Sequence, residues 1–315
     1  MIRFLLILLI PVQLFAQSNM DQVIKLVELR KFNEARKILL AIPVKDQLYD
    51  RGQYQLGRIA MAEQDFETAA GYFENAINVN DQVAEYYAGL GDAYGGIAQD
   101  ANPIRQGILA TRMKSAWEKS ITMNPKLIEP RQSLIQFYMR APGFMGGDIE
   151  KAKEMARELK KLKPALGYLE MGNICLFEKR VNEAEQEFLE MVKADTSFVY
   201  QLGSFYVQQK QWNKAFDVFE KVVKQNNTNF PAIYQIGRIS ALSGIRLERG
   251  EECLKKYFAY QPKQNEPPQV AAKMRLAQIM EKKGNIVEAK KLYQDALKQD
   301  PSLKEAKEGL ERVSK

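Results

Sequence analysis

The stretch that decides the fold is residues 84–94, AEYYAGLGDAY, in which Tyr87, Leu90, Gly91 and Tyr94 stand at helical spacing. A small residue at position 91, with large apolar residues three or four positions away, is typical of a helix that lets a second helix approach closely. The apolar residues do not alternate with polar ones as they would in a half-buried strand. The stretch therefore predicts the first helix of a tightly packed helix pair.

The same pattern recurs along the chain at a fixed interval. Gly57 and Gly91 are 34 positions apart, and Gly203 and Gly237 are again 34 positions apart. A second-helix pattern follows each first helix, with an alanine and an aromatic residue four positions later, as in Ala69-Phe73-Ala76, Ala184-Phe188-Met191, Ala215-Phe219-Val222 and Ala289-Tyr293-Ala296, the last followed by Pro301. These motifs resemble the W-x2-L-G-x2-Y, A-x3-F and terminal-proline pattern of the tetratricopeptide repeat (TPR).

This resemblance implies an all-α fold, a right-handed superhelical solenoid of about eight helix pairs closed by a C-terminal capping helix. We place the units near residues 20–45, 50–82, 84–126, 128–164, 165–196, 197–229, 230–264 and 270–302, with the cap at 303–313. The aromatic residues of the motifs are predicted to be core, namely Phe73, Tyr94, Phe188, Phe219 and Tyr293. The segment 264–269, with Pro267 and Pro268, suggests a looser joint.

Two neighbouring units carry insertions between their helices. In the first, Asn102 and Pro103 are an N-cap and a first-turn proline, so the second helix should run from there to about residue 122. In the second, the connection 141–148 reads APGFMGGD, and Asp148 is placed to cap the next helix. Phe144 and Met145 form either an exposed tip for a partner or a plug against the preceding long helices. We expect the plug, because the exposed pair would be solvated.

The long helix pair followed by the Ala-Pro-Gly-x-x-Gly-Gly turn, over residues 84–164, resembles a group of exported bacterial TPR proteins. The start of the chain agrees with export, because Arg3 precedes an apolar run from Phe4 to Leu14, and Ala16 follows. The run has the pattern of a secretory signal peptide and is shorter than the roughly 20 residues that span a bilayer. We expect residues 1–16 to be removed, no stable membrane span to remain, and the mature protein to be periplasmic or else secreted.

The composition argues against catalysis and against nucleic acid as a partner. The chain contains no histidine, which removes histidine-based acid–base chemistry and nucleophile pairs. Cys175 and Cys253 cannot form a four-cysteine zinc site, and we expect two buried, unpaired thiols. The 46 basic and 39 acidic residues are interspersed, without the basic stripe that nucleic-acid binding requires. We therefore expect no enzyme, no cofactor and no metal.

The TPR resemblance implies that the first helices of the units line a groove that binds a polypeptide. The residue after each small position, and the residue three positions before it, face that groove in this register. The predicted partner-binding residues are Tyr54, Arg58, Asp92, Gln136, Asn173, Tyr200, Tyr234 and Arg238. The other interpretation, that these are solvated helix faces without a ligand, stays open.

Tyr200, Tyr234 and Arg238 form the strongest predicted patch, because Gly203 and Gly237 set them one period apart. Tyrosine and arginine are enriched at binding hot spots. The expected function is a non-catalytic protein–protein interaction scaffold or adaptor, and the alternative is a cell-envelope chaperone or assembly factor that holds client proteins. The sequence specifies neither the partner nor an oligomeric state.

Overall fold

The structure is a computed structural model that describes residues 20–315. Over those residues it consists of α-helices and two short 3₁₀ turns and contains no strand, which confirms the predicted all-α fold. The predicted signal peptide, residues 1–16, lies outside the described residues. The chain divides into two compact units, with unit 1 ending at Glu187 and unit 2 beginning at Phe188.

Unit 1 is a series of helices that pack consecutively. They are a helical segment at residues 20–28 (α1), α2 (Phe32–Leu40), α3 (Tyr49–Ala62), α4 (Phe66–Val79), α5 (Ala84–Gln99), α6 (Pro103–Met123), α7 (Glu129–Arg140), α8 (Ile149–Leu162), α9 (Pro164–Phe177) and the start of α10 (Val181–Ala194). Each helix from α2 to α8 contacts the next, and α3, α5, α7 and α9 also contact one another in that order. We call the surface formed by these four helices the A-helix face of unit 1.

The inserted helices of unit 1 begin where their capping residues predict. The Asn102 side chain accepts a hydrogen bond from the backbone N–H of Arg105 (3.0 Å), and α6 extends for 21 residues from Pro103. Asp148 accepts from the backbone N–H groups of Glu150 (3.0 Å) and Lys151 (3.2 Å) and starts α8. Each cap satisfies a backbone donor that the first turn of a helix leaves free.

The connection between α7 and α8 does not form the predicted plug. Residues Gly143–Met145 make a single 3₁₀ turn, in which successive side chains point about 120° apart. Met145 is half-buried and its methyl group faces Gly107 of α6, whereas Phe144 is 87% exposed. A turn this tight cannot place two adjacent side chains in one crevice, so the prediction is wrong for Phe144.

Small residues let large ones fill the space between the helices of unit 1. The Phe73 ring is 1% exposed and lies between Gly57 of α3 and Gly89 of α5, where an added Cβ would come within 2.6 Å and 2.7 Å of it. Trp117 occupies the corresponding space beside Gly91. The predicted core positions Phe73 and Tyr94 are confirmed as buried.

Unit 2 continues the consecutive packing. It contains the remainder of α10, then α11 (Val199–Gln208), α12 (Trp212–Gln225), α13 (Phe230–Ser243), α14 (Leu247–Tyr257), α15 (Gln269–Lys282), α16 (Ile286–Gln299) and α17 (Lys304–Arg312). Each helix from α11 onward contacts the next, and α13, α15 and α17 also contact one another in order. Phe188, Phe219 and Tyr293 are buried as predicted, and Gly309 of α17 packs on the Tyr293 ring.

The segment 264–269, predicted to be a looser joint, is held by hydrogen bonds from side chains of α14 and α15. The Tyr257 hydroxyl donates to the carbonyl of Pro267 (2.7 Å), and the Gln269 side-chain amide donates to the carbonyls of Phe258 (3.2 Å) and Tyr260 (2.8 Å). The interpretation as a loose joint is therefore wrong, because side chains supply the partners that the irregular backbone cannot find in a helix.

Candidate functional site

An open cavity of about 490 Å³ lies on the A-helix face of unit 1. It brings together three of the predicted partner-binding residues, Tyr54 and Arg58 of α3 and Asp92 of α5. The rest of its lining includes Met61, Glu85, Ala88, Leu127, Glu129 and Pro130. The helical register places Tyr54 and Arg58 one turn apart on the same side of α3, which is why both reach the cavity.

Tyr54 is half-buried, and several charged side chains of this cavity lie near its hydroxyl. Its ring packs against Tyr86, with ring centroids 5.1 Å apart. Burial raises the pKa of its hydroxyl, the nearby charge of Arg58 opposes that rise, and the carboxylates of Glu85, Asp92 and Glu129 add to it. Three acidic groups and one guanidinium therefore act on the same point of the cavity.

Asp92 is half-buried and is held by neutral donors. Its Oδ1 accepts hydrogen bonds from the indole N–H of Trp117 (2.9 Å) and, at longer range, from the hydroxyl of Ser133 (3.4 Å). Burial raises the pKa of Asp92, and these two hydrogen bonds act in the opposite direction. Arg58 donates to the Gln55 side chain (3.1 Å). Neither Asp92 nor Arg58 forms an ion pair among residues 20–315, so both can pair with an incoming charge.

A second polar group lies further along the A-helix face, between α7 and α9. Gln136, a predicted residue, donates to Glu170 (2.8 Å), and Gln132 donates to the other oxygen of the same carboxylate (3.0 Å). Glu170 is only 5% exposed, and Asn173 lies one turn after it, half-buried. Sequence reasoning missed Glu170, although it is the only charged residue in the stretch 164–177, and that is the signal that points to it.

The predicted patch of unit 2 does not form as one exposed surface. Tyr234 is 5% exposed, and its ring packs on Tyr257 with centroids 5.4 Å apart, so it is a core residue with little area left for a partner. Tyr200 is half-buried and donates to Asn229 (2.7 Å), and Arg238 donates to Gln235 (3.3 Å). The assignment of Tyr234 as a partner contact is corrected on this ground.

The described residues offer no obvious chemistry of other kinds. Residues 20–315 contain no group of three or more cysteine or acidic side chains placed to hold a metal ion. Cys175 and Cys253 are buried and unpaired, and burial raises the pKa of the Cys253 thiol to about 11. A thiol with a raised pKa is a poor nucleophile. No helix within the described range combines the length and apolarity needed to cross a bilayer.

Comparison with known proteins agrees with this helix-pair arrangement. Models of the tetratricopeptide repeat match residues 54–100, and again residues 199–226 and 271–302. A search of curated protein sequences finds no significant match.

Among solved structures, a tetratricopeptide repeat protein from Parabacteroides merdae superimposes with a TM-score of 0.52 at 13% identity, over 84% of this chain and 98% of that one. PilF of Pseudomonas aeruginosa matches at 15% identity and a TM-score of 0.41, over 84% of this chain and 97% of its own. YrrB, described as a TPR protein with an unusual peptide-binding site, matches at 20% identity and a TM-score of 0.42, over 62% of this chain and 97% of its own. Models of the tetratricopeptide repeat thus match three segments of this chain, and its described residues share the all-α fold of consecutively packed helix pairs with a solved tetratricopeptide repeat protein.

Proposed function

We propose that this protein is a non-catalytic interaction scaffold that binds a polypeptide partner on the A-helix face of unit 1. The observation that carries the proposal is the convergence of Tyr54, Arg58 and Asp92 on one open cavity. Glu85 and Glu129 line the same cavity, and neither forms an ion pair among the residues that the structure describes. A cavity with aromatic area and unpaired charges of both signs suits a peptide segment better than an apolar small molecule.

The charges of the cavity favour a basic segment. Glu85, Asp92 and Glu129 outnumber the single guanidinium of Arg58, so a lysine or arginine of the partner would meet an uncompensated carboxylate. A charge-assisted hydrogen bond to a half-buried carboxylate is stronger than one at a fully exposed site. Tyr54 would add contact area at low cost in side-chain entropy.

We also propose that the protein acts outside the cytoplasm, most simply in the periplasm. The support is the pattern of residues 1–16 and the resemblance of residues 84–164 to exported TPR proteins. Cell fractionation with N-terminal sequencing of the mature chain tests this. A chain that stays in the cytosol with Met1 intact would contradict export and leave the binding proposal to be judged by its own test.

Partner binding is tested by a pull-down from an envelope extract of the protein's own cells, with the full mature chain as bait. We expect one saturable partner on the wild type, strongly reduced on Tyr54→Ala and on Arg58→Ala, at a cost of about 2 kcal/mol in binding free energy for whichever of the two is the hot spot. The matched control is Arg157→Ala, an exposed arginine on α8 away from the cavity. Equal capture by all four baits would overturn the assignment of the cavity.

The alternative function, a chaperone that holds client proteins, predicts a different result in the same set of variants. A holding chaperone suppresses the aggregation of unrelated unfolded proteins and does so without a single saturable partner. If the wild type suppresses the aggregation of unrelated clients, and Tyr54→Ala and Arg58→Ala suppress it equally well, the scaffold proposal fails. The chaperone hypothesis then replaces it.

A further inference from the structure

Unit 2 contains an open cleft of about 760 Å³ that the proposed function does not use. One wall is formed by Leu189 and Val192 at the end of α10, and the other by Val218 and Val222 of α12. These four side chains are half-buried and apolar. The floor is made by α11, whose buried Leu202 and Tyr206 close the cleft from below. We call this feature the apolar cleft.

Two other grooves between alternate helices are bridged by charged side chains. In unit 1, Arg105 of α6 pairs with Glu67 of α4, and both line the groove between those helices. In unit 2, the next groove along is bridged by Arg249 of α14 and Glu220 of α12 (2.7 Å). In the apolar cleft, the side chains of Leu189, Val192, Val218 and Val222 face one another. A ligand that covers these side chains would be stabilised by roughly 25 cal/mol for each Å² of apolar area removed from water.

The residues of α12 that line the cleft lie on one face of that helix. Lys214, Val218, Lys221, Val222 and Gln225 recur at intervals of three and four residues and so form one face of the helix. The twelve residues from Lys214 to Gln225 extend for about 18 Å of α-helix, or roughly three turns. A trough of this length between two helices accepts the apolar face of a third helix, whose side chains at every third or fourth position enter it.

The charges at the rim indicate the chemistry of that third helix. Lys193, Lys214 and Lys221 line the cleft, against Asp195 and Asp217. Asp217 is paired with Arg246 (2.8 Å), outside this set, and Asp195 accepts a hydrogen bond from the backbone N–H of Ser197 (2.8 Å). Lys221 forms no ion pair within residues 20–315. Lys193 is paired with Glu190 (2.5 Å), so the charge that complements an acidic side chain of a ligand is that of Lys221.

We propose that the apolar cleft docks an amphipathic helix of a partner protein, with its apolar face between α10 and α12 and its acidic flank at Lys221. This is a second binding surface, separate from the cavity on the A-helix face of unit 1 and independent of it. The helix would bury the walls of the cleft and leave its polar face in water.

The test uses a fluorescein-labelled synthetic helix of about 14 residues, with leucines at positions i, i+3, i+4 and i+7 and glutamates beside them. Fluorescence anisotropy measures its binding to the full mature chain. We expect saturable binding to the wild type, and at least about a tenfold loss for Val218→Asp, because the aspartate would place a charge against the apolar side chains of the docked helix and would compete with its glutamates for Lys221. The matched control is Val287→Asp on α16, where the valine is 84% exposed and outside the cleft, and where no loss is expected.

Lys221→Glu provides a variant that leaves the apolar walls intact. It should weaken the glutamate-flanked helix and strengthen a helix of the same design with lysines in place of the glutamates. Circular dichroism checks that each variant keeps its helical content. The proposal is overturned if neither designed helix binds the wild type, if a scrambled peptide binds equally well, if Val218→Asp and Val287→Asp behave alike, or if dodecanoate binds in the cleft and the helix does not.

Discussion

At the scale of single residues, the close packing of the helices depends on glycines, which leave room for a large side chain of the neighbouring helix. Gly203 lies against Phe219, and an added Cβ would come within 2.3 Å of that ring. Gly237 lies equally close to Leu254. The glycines recur at an interval of 34 residues because the helices of each pair approach closely at these positions.

Gly203→Ala should lower the free energy of unfolding by about 1–3 kcal/mol, because the new methyl group overpacks against the buried Phe219 ring. Gly71→Ala is the control, since Gly71 is exposed within α4 and an added Cβ there would meet nothing within 4 Å. That variant should instead gain about 0.5–1 kcal/mol from helix propensity. Urea denaturation of both variants measures the difference, and two changes of the same sign would contradict this account.

Tyr234→Ala should destabilise the protein by about 3 kcal/mol or more, as removal of a buried aromatic ring does. Tyr234 is 5% exposed and belongs to the main hydrophobic cluster of unit 2. Phe144→Ala provides the comparison, because Phe144 is 87% exposed and its loss should change stability by no more than about 0.5 kcal/mol. A small effect of Tyr234→Ala in thermal or urea unfolding would restore Tyr234 as a candidate surface residue.

At the scale of elements, helices are joined by side chains that reach across to the next pair. Helix α17 is attached to α15 through Arg312, which donates to both oxygens of Glu281 (2.7 and 3.0 Å). The Tyr293 hydroxyl of α16 donates to the same carboxylate (2.6 Å). One acidic group therefore connects the last three helices of unit 2.

This connection should make the docking of α17 sensitive to acid. The hydrogen bonds from Arg312 hold the pKa of Glu281 below its ordinary value of 4.5. The folded state then binds the proton less readily than the unfolded chain does, so the contribution of Glu281 to stability is present above pH 4.5 and is lost as the pH falls through the lowered pKa.

Glu281→Gln should accordingly be less stable than the wild type at pH 7, and the difference should shrink as the pH is lowered through the range below 4.5. Glu311→Gln is the control, because Glu311 is exposed on α17 and forms no ion pair among the described residues. Thermal unfolding across this pH range measures both. A difference between Glu281→Gln and the wild type that grows toward acid would show that the sign is wrong.

At the scale of the whole molecule, stability should be distributed among neighbouring helix pairs, because within each unit a pair packs on the next one along the chain. Unit 1 contains a cluster formed by α1 to α3, which includes Leu39 and Ile59, and a separate cluster around Phe73. A substitution that destabilises the first cluster should therefore increase local unfolding mainly in the helices that form it.

Leu39→Ala should raise hydrogen–deuterium exchange in α1, α2 and α3 and leave α8 and α9 unchanged. Leu39 is 2% exposed, and a leucine-to-alanine change in a core costs about 2–5 kcal/mol. Mass spectrometry of peptides from each helix gives the readout. An equal rise in α8 and α9 would mean that unit 1 opens as a single cooperative block.

The amino-acid sequence alone predicts the helix pairs, and it predicts the first residues of α6 and α8. Local rules suffice for these features, because an N-cap such as Asn102 or Asp148 acts on backbone groups two or three positions away. The buried aromatic rings Phe73 and Phe219 were also predictable, since a period of 3.6 residues identifies the face of a helix that meets its partner.

The exposure of the polar and aromatic side chains could not be predicted in this way, because it depends on the packed helices around them. Tyr54, Tyr200 and Tyr234 occupy the same register position, three residues before Gly57, Gly203 and Gly237. Yet Tyr54 borders the cavity of unit 1, Tyr200 donates a hydrogen bond to Asn229 and lines the apolar cleft, and Tyr234 is covered by Tyr257. Register sets the direction in which a side chain leaves its own helix, whereas burial depends on what the next helices bring to that point, and those residues are distant in sequence.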